Sequence, residues 1–377
     1  MNAPDRFEVV EPGRALGALE PAWTEMLQAS AADTLFLTPE WMGAWWAAYA
    51  RGRTPAVVLA RRGAAIAGIL PLQIAEERYR GGIRVRVLRF LGDGTHDSDY
   101  LDFIVPRGDE GSVLPAFWAW LRGGAGPLKY DLARWNEMPV TSPHVAIARG
   151  LAAASGGLLD EERVGCVVAP LAGSWDGYVA RLSPRMRTKV RSLRRNLESG
   201  RSVSLRRAAT EKELDQALDS LFTLHERRWA TRGESGVFRG TEKRAFYRSM
   251  GRALLRRGWL DLHTLVVDDA AVAHQFCARY KGTSFLLQEG YDPDWETLSV
   301  GNVLRGIVME RLIEEGVGTY DFLAGVSSHK LSWGGTVKES TRLTLKGSGA
   351  KAALVSGISR LAAVTAPLRS ALRRKAR

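Results

Sequence analysis

The chain has 377 residues, a formal net charge of +12, and apolar and charged shares of 45% and 25%, a balance expected of a globular protein with more than one domain. No run of about eighteen apolar residues exists to span a bilayer. The first twenty residues carry acids and prolines without an apolar core, so they do not read as a signal peptide.

The charge is concentrated. Residues 181–207 hold ten Lys/Arg against one acid, Glu198, and residues 343–377 hold eight and no acid. A generic nucleic-acid binder spreads its cations over a folded face, whereas here they sit in one helix and one tail. Cys166 and Cys277 lie far apart without metal-ligand spacing, and read as reduced thiols of a cytoplasmic protein; no metal site is expected.

In chain order, a short strand over 7–10 and a helix ending near Ala29 precede Leu35-Phe36-Leu37-Thr38-Pro39. There Thr38 suits an N-cap and Pro39 the first helical position. The helix over 40–51 carries Trp41, Trp45, Trp46 and Tyr49, a spacing that reads as a packing face. Strands are expected over 56–60, 64–74, 84–91 and 100–105. The acid-rich loop 92–99, with His96, matches no EF-hand and reads as an Asx-turn connection. A helix over 114–121, a strand over 130–135 and a helix over 143–153 complete a first domain, residues 1–160.

A second domain, residues 161–346, opens with a strand over 166–171 and a short helix over 174–182. Ser183-Pro184 then starts a helix to about Glu198. Its apolar stripe is Leu182, Met186, Val190, Leu193 and Leu197, and Arg185, Arg187, Lys189, Arg191, Arg194 and Arg195 fill the rest. Like charges four residues apart cost a few tenths of a kcal/mol per pair. Two readings stand for this surface: a solvated face, or a field that attracts an anionic substrate.

A strand over 202–207 follows, then a capping box at Thr210-Glu211-Lys212-Glu213 that opens a helix to about Trp229. Thr241 is expected to cap a helix to Arg257. Strands over 259–267, 271–280 and 283–289 are joined by turns at Asp268-Asp269 and Lys281-Gly282. An amphipathic helix enters at Val300-Gly301-Asn302, buries Val303, Leu304, Ile307, Val308 and Leu312, and ends at Gly316. Short strands over 319–323 and 341–346 finish the domain. Residues 347–377 form a basic tail, helical or disordered, with Leu354, Ile358, Leu361, Leu368 and Leu372 on one helical face and Pro367 inside it. That composition suggests weak or no membrane binding, so the protein is expected to be cytoplasmic, at most peripheral to the inner membrane.

The order of the second domain, with a helix start ready for an anion after the third strand of a meander, resembles the GNAT acyltransferase superfamily. Phe36-Leu37-Thr38-Pro39-Glu40-Trp41, Ile69-Leu70-Pro71-Leu72 and Phe90-Leu91-Gly92 resemble the CelD-like acetyltransferases linked to bacterial cellulose and exopolysaccharide synthesis. So do Leu193-Arg194-Arg195-Asn196-Leu197, His225 with Arg228-Trp229, and Tyr320-Asp321-Phe322-Leu323 with Gly325, Lys330 and Trp333. The chain is also similar to the Fem-type peptidoglycan aminoacyltransferases. The resemblance covers about residues 30–345. It implies an α/β (α+β) fold of tandem GNAT-like domains, with mixed, mainly antiparallel sheets flanked by helices, and acetyl-CoA or another acyl-CoA as donor.

A strand, a small-residue turn and a helix N-terminus present unpaired N–H groups and the positive end of a dipole, which suits a diphosphate. Donor-binding residues are therefore expected at Ser299, Val300, Gly301, Asn302 and Leu304. Backbone N–H groups around Leu287 and Gln288 are placed to polarise an acyl carbonyl. The acceptor must lose a proton, and His274, Glu289 and Asp321 are candidate bases. Asp321, between Tyr320 and Phe322, needs a partner if buried, and Lys330 is the nearest in sequence. Neither cysteine has a neighbouring base, so direct transfer is expected rather than a covalent enzyme intermediate.

Three functions fit these residues. One is acyl transfer from acyl-CoA to an amine or hydroxyl of a glycan, lipid-linked or other cell-envelope acceptor. Another is an aminoacyl-tRNA-dependent transfer, with the helix 184–198 contacting phosphates; that helix and the tail are the expected points of weak contact with tRNA or an anionic membrane surface. The third is a non-catalytic accessory role in polysaccharide synthesis, which the sparse loop Ser299-Val300-Gly301-Asn302 favours.

Overall fold

The computed structural model describes residues 2–79, 82–123, 128–231, 233–347 and 351–357. They divide into two compact units: residues 1–46, 50–164 and 339–377 in one, and 47–49 and 165–338 in the other.

In the first unit, β1 (Arg6–Val10), α1 (Pro12–Gly17), α2 (Glu20–Ala29) and α3 (Pro39–Tyr49) are followed by β2 (Arg53–Pro55), β3 (Val57–Arg62), β4 (Ala65–Leu70), β5 (Leu72–Arg78) and β6 (Arg84–Phe90). After these come α4 (Glu110–Arg122), β7 (Leu132–Pro139), α5 (Pro143–Ala154) and β8 (Leu158–Pro170), whose residues from Gly165 onward belong to the second unit. The Thr38 side chain caps α3 by accepting from the Trp41 amide, and Trp41 and Trp45 are fully buried. Their indole N–H groups donate to Ser98 and Thr95 at 2.9 Å, which pins the acid-rich loop to the packing face.

Two expectations fail in this unit. The strand expected over 64–74 is two strands, because Pro71 has no N–H for a ladder and the chain changes sheets there. β4 joins β1 and β3, while β5 lies between β2 and β6. Residues 100–105 form no strand: Tyr100 sits at φ 51, and only an isolated bridge joins Ile104 to Ile69. Of the tail, residues 351–357 are helical, and Val355 packs against Val85, Val87 and Leu132. Ile358, Leu361, Pro367, Leu368 and Leu372 lie outside the described residues.

The second unit contains α6 (Trp175–Arg181), α7 (Pro184–Glu198), β9 (Val203–Arg207), α8 (Glu211–Ala230), α9 (Thr241–Arg256) and β10 (Leu260–Val267). These lead into β11 (Ala270–Tyr280), β12 (Thr283–Tyr291), α10 (Val300–Glu314), β13 (Thr319–Ala324), α11 (Ser328–Ser332) and β14 (Thr336–Lys346), whose residues from Glu339 onward belong to the first unit. Its strands run in the order β8-β13-β12-β11-β10-β9. β12 pairs parallel with β13, and the other pairs are antiparallel.

Local chemistry fixes most of these boundaries. Ser183 caps α7 ahead of Pro184, and Thr210 with Glu213 closes a full capping box on α8. Asp268-Asp269 and Lys281-Gly282 both take positive φ at two successive residues, the turn geometry that matches strand twist in a two-residue hairpin. Thr241 is the first residue of α9 and not its cap; Gly240 precedes it. α6, α7 and α10 share one core with Leu265, Ala273, Cys277, Tyr320 and Phe322. Each aliphatic side chain that α10 buries there, such as Leu304 or Leu312, contributes about 1.5–3 kcal/mol. Among the described residues no helix is long and apolar enough to cross a membrane.

Candidate active site

The site lies in the second unit, where β12 runs into α10. A short 3-10 turn, Pro293–Leu298, leads to Ser299 at φ 52 and ψ 41, and that left-handed residue swings the chain into α10. The first turn of α10 has no side-chain cap and no acid. Ser299, Val300, Gly301 and Asn302 line a cavity of about 240 Å³ with Arg228, Glu289, Tyr291, Arg305 and His329. A Cβ on Gly301 would stand 3.2 Å from the Tyr291 ring, close enough that the ring would have to give by a few tenths of an ångström. Arg228, from the C-terminal end of α8, stacks on the same ring at 4.4 Å.

At the inner end of the cavity is Arg305, a cation only 2% exposed. It forms an ion pair with Glu289 of β12, donates to Nε2 of His329 on α11, and lies 5.6 Å from the rings of both Phe322 and Trp333. The β12–β13 ladder explains the room for it. Pairing covers Thr283–Phe285 with Thr319–Asp321 and then stops, although β12 continues to Tyr291. The guanidinium thus spans the gap from the β12 side to Phe322 of β13.

The electrostatics follow from burial and these partners. Burial pushes the Glu289 carboxyl up, but Arg305 and Arg228 outweigh it and hold the group below its ordinary value. His329 is pushed down to about 4 by burial and then by the Arg305 charge, so its imidazole is neutral at pH 7. The cavity therefore offers an ionised carboxylate, a neutral imidazole, two guanidiniums and an uncapped helix start.

Of the residues expected from sequence, Glu289, Ser299, Val300, Gly301 and Asn302 come together here. Leu304 packs into the core, and Leu287 is buried on β12 beside half-buried Gln288. His274 stands opposite Gly290, while Glu289 stands opposite Gln275. Alternation along a strand therefore places His274 and Glu289 on opposite faces of the sheet. His274 meets Ser220 of α8 at 2.8 Å and Thr264 at 3.0 Å, and burial pushes it down to about 4. Asp321 Oδ1 accepts from the Leu323 amide at 2.8 Å, and it alternates away from Phe322 and Arg305. Lys330 Nζ clamps the end of β13 by donating to the carbonyls of Phe322, Leu323 and Ala324 at 2.8, 3.2 and 2.7 Å.

Comparison with known proteins agrees with this geometry. Residues 184–331 match the family described as an acetyltransferase (GNAT) domain. That stretch is a GNAT-type acetyltransferase domain. No curated protein sequence matches the chain. Among solved structures, FemX aligns with a TM-score of 0.63 at 11% identity, over 94% of this chain and 100% of FemX. A tandem GNAT protein from the clavulanic acid biosynthesis pathway aligns at 0.51 and 13% identity, over 92% of this chain and 99% of that one. L-PGS from Bacillus licheniformis aligns at 0.51 and 11%, over 90% and 96%. At such identities these likenesses concern the fold, which is that of tandem GNAT and Fem-type proteins. GNAT domains take acyl-CoA as donor. The cavity joins the first turn of α10, which has no side-chain cap and whose Asn302 amide donates to the Ser299 carbonyl at 2.8 Å, to Arg228, whose buried Nε has no partner among the described residues.

Sequence reasoning missed Arg228, Arg305 and His329 as site residues, since three separate helices deliver them. For Arg305 a signal existed: it is a cation set among Leu304, Val308 and Met309, in the buried stripe of α10.

Proposed function

We propose that the enzyme transfers an acyl group from acyl-CoA directly to an amine or hydroxyl of a cell-envelope or exopolysaccharide-related acceptor. The supporting observation is the uncapped start of α10 opening onto the same cavity as Glu289, Arg305 and His329. The Val300 and Gly301 amides at the start of α10 and the Arg228 guanidinium hold the donor's diphosphate. The acyl carbonyl lies where the β12–β13 ladder ends, within reach of β12 backbone N–H groups near Leu287 and Gln288.

The acceptor nitrogen or oxygen attacks this carbonyl, the carbon–sulfur bond breaks, and sulfur leaves as the thiolate. Glu289, ionised and held in place by Arg305, takes the acceptor's proton, directly or through one water, and its protonated carboxyl passes that proton to the departing sulfur, while the neutral His329 accepts from Arg305 and keeps the guanidinium in place. CelD-like membership, inferred from the motifs quoted above, is what directs the reading toward envelope polysaccharide.

The test combines donor binding with thiol release. Acetyl-CoA should raise the melting temperature of the wild-type chain by mass action. Glu289→Gln should keep that rise while thiol release to amine acceptors falls by about 10²-fold or more. A flat melting response together with no thiol release would end the donor assignment.

A further inference from the structure

A second hollow adjoins the reaction cavity. Between α7 and α10 runs a groove of about 220 Å³, floored by Trp175, Val190, Leu193, Val303, Ile307 and Trp333. Gly306 lies at its centre, in the interior of α10. A Cβ there would stand 3.7 Å from Trp333, 3.9 Å from Val190 and 4.0 Å from Trp175, so the site would accept an alanine. Glycine is among the weakest helix formers, and here it gives up helix stability while leaving the groove open. Asn302 lines both the groove and the reaction cavity, and its Oδ1 is buried without a partner. The indole N–H of Trp333, a residue fully buried in the groove wall, is likewise unpartnered.

The rim is cationic. Lys189, Arg191 and Arg195 are exposed there and make no ion pair among the described residues, whereas Arg194 is matched by Glu198 and Glu310. Arg191 and Arg195 also line, with Arg187, an open hollow of about 380 Å³ on the other flank of α7. Apolar groove and cationic shelf are therefore continuous across two arginines.

We propose that this groove seats the apolar chain of a phosphate-bearing lipid acceptor, with Arg191 and Arg195 holding its phosphate and Asn302 marking the passage of its reactive amine or hydroxyl to Glu289. The inference rests on the acyltransferase reading of the neighbouring cavity and names the acceptor class for it. Each simpler occupant leaves something unexplained. The acyl chain of a donor would fill the groove but leave three unpaired cations at its mouth. A free anion would satisfy the cations but not a tryptophan-lined hollow kept open by a helical glycine. A bilayer surface is met by protruding apolar side chains, and this feature is concave.

Isothermal titration of the full chain with dodecyl phosphate, below its micelle concentration, tests the idea against dodecanol and inorganic phosphate. Saturable one-to-one binding of dodecyl phosphate is expected, at least about tenfold tighter than either control, since chain and charge each contribute. Gly306→Leu should weaken it at least tenfold by filling the groove, and leucine is a better helix former, so folding should survive. Arg191→Glu with Arg195→Glu should reduce dodecyl phosphate to the affinity of dodecanol.

Three results would overturn the proposal. Equal binding of inorganic phosphate, or no effect of Gly306→Leu, would leave only an anion site. Displacement of dodecyl phosphate by palmitoyl-CoA but not by acetyl-CoA would assign the groove to the donor. Binding of tRNA that is lost in the double arginine variant and kept in Gly306→Leu would assign the face to nucleic acid. The acetyl-CoA melting shift of the wild-type chain separates the two levels of failure. With the shift present and no selective dodecyl phosphate binding, only this inference falls; with the shift absent, the reading beneath it falls as well.

Discussion

The Glu289–Arg305 pair is the most exacting place to test the account of the site. Glu289→Gln keeps the shape of the side chain and removes the charge facing a guanidinium that is 2% exposed. Removing one partner of a buried pair typically costs about 3–5 kcal/mol, because the remaining charge stays desolvated. The Glu289 side chain is 28% exposed, so some water reaches the pair, and a loss at the low end, about 3 kcal/mol, is expected. Arg305→Met keeps a flexible apolar stem against Phe322 and Trp333 and leaves the more accessible carboxylate behind, for a loss of about 1–2 kcal/mol. The double variant contains no stranded charge and should return to within about 1 kcal/mol of wild type, as pairs replaced by apolar isosteres often do. The pH dependence has a definite sign. Glu289 is held below its ordinary value in the folded chain, so its stabilising contribution is present above the unfolded value of about 4.3 and disappears as the pH falls through the folded value. The gap between wild type and Arg305→Met should therefore persist at pH 7 and narrow below about pH 4. Urea denaturation followed by far-ultraviolet circular dichroism measures all four proteins. Strict additivity of the two single variants, or a Glu289→Gln protein within about 0.5 kcal/mol of wild type, would refute the claim that the pair is buried and coupled.

Other outcomes follow from single contacts. Gly301→Val drives a Cβ to within 3.2 Å of the Tyr291 ring and displaces the wall that Arg228 stacks on. It should cost about 1–2 kcal/mol and abolish the acetyl-CoA melting shift; a shift of wild-type size would show that the turn does not carry the donor. Lys330→Met deprives three carbonyls at the end of β13 of their shared donor and should lower stability by about 2 kcal/mol in a urea titration, with no loss meaning that water replaces the clamp. His274 is neutral when folded, at about 4, and protonates near 6.5 when unfolded, so stability is complete above pH 6.5 and erodes as the pH falls toward 4. The erosion amounts to about 3 kcal/mol at 1.36 kcal/mol per unit, and His274→Gln should flatten that part of the curve while leaving turnover at pH 7 within about twofold. A tenfold loss of turnover in fully folded His274→Gln would return this histidine to the chemistry.

How far the site could be read from sequence depends on how local each signal is. Caps at Thr38, Ser183 and Thr210, and the paired turn residues Asp268-Asp269 and Lys281-Gly282, act through neighbours a few residues away, and those elements stand where the sequence puts them. Pro71 and Tyr100 depend on which sheet or loop lies alongside, and there the expected strands fail. The contrast between His274 and Glu289 shows the same limit at the site itself. Counting back from the Lys281-Gly282 turn, Cys277 faces Leu286 and an unbroken ladder would set His274 directly opposite Glu289, on one face and within reach of each other. One irregularity between Phe276 and Cys277 leaves Leu287 unmatched on β12 and advances the register by a residue, so that His274 faces Gly290 instead. A slip of one residue reverses every side chain beyond it. The histidine is thereby turned toward α8 and its two hydroxyl partners, and the carboxylate toward Arg305 and the start of α10. No periodicity or composition in residues 270–291 marks that irregularity, so both residues looked like bases for one site. Only one of them shares a cavity with the helix start that suits a phosphate.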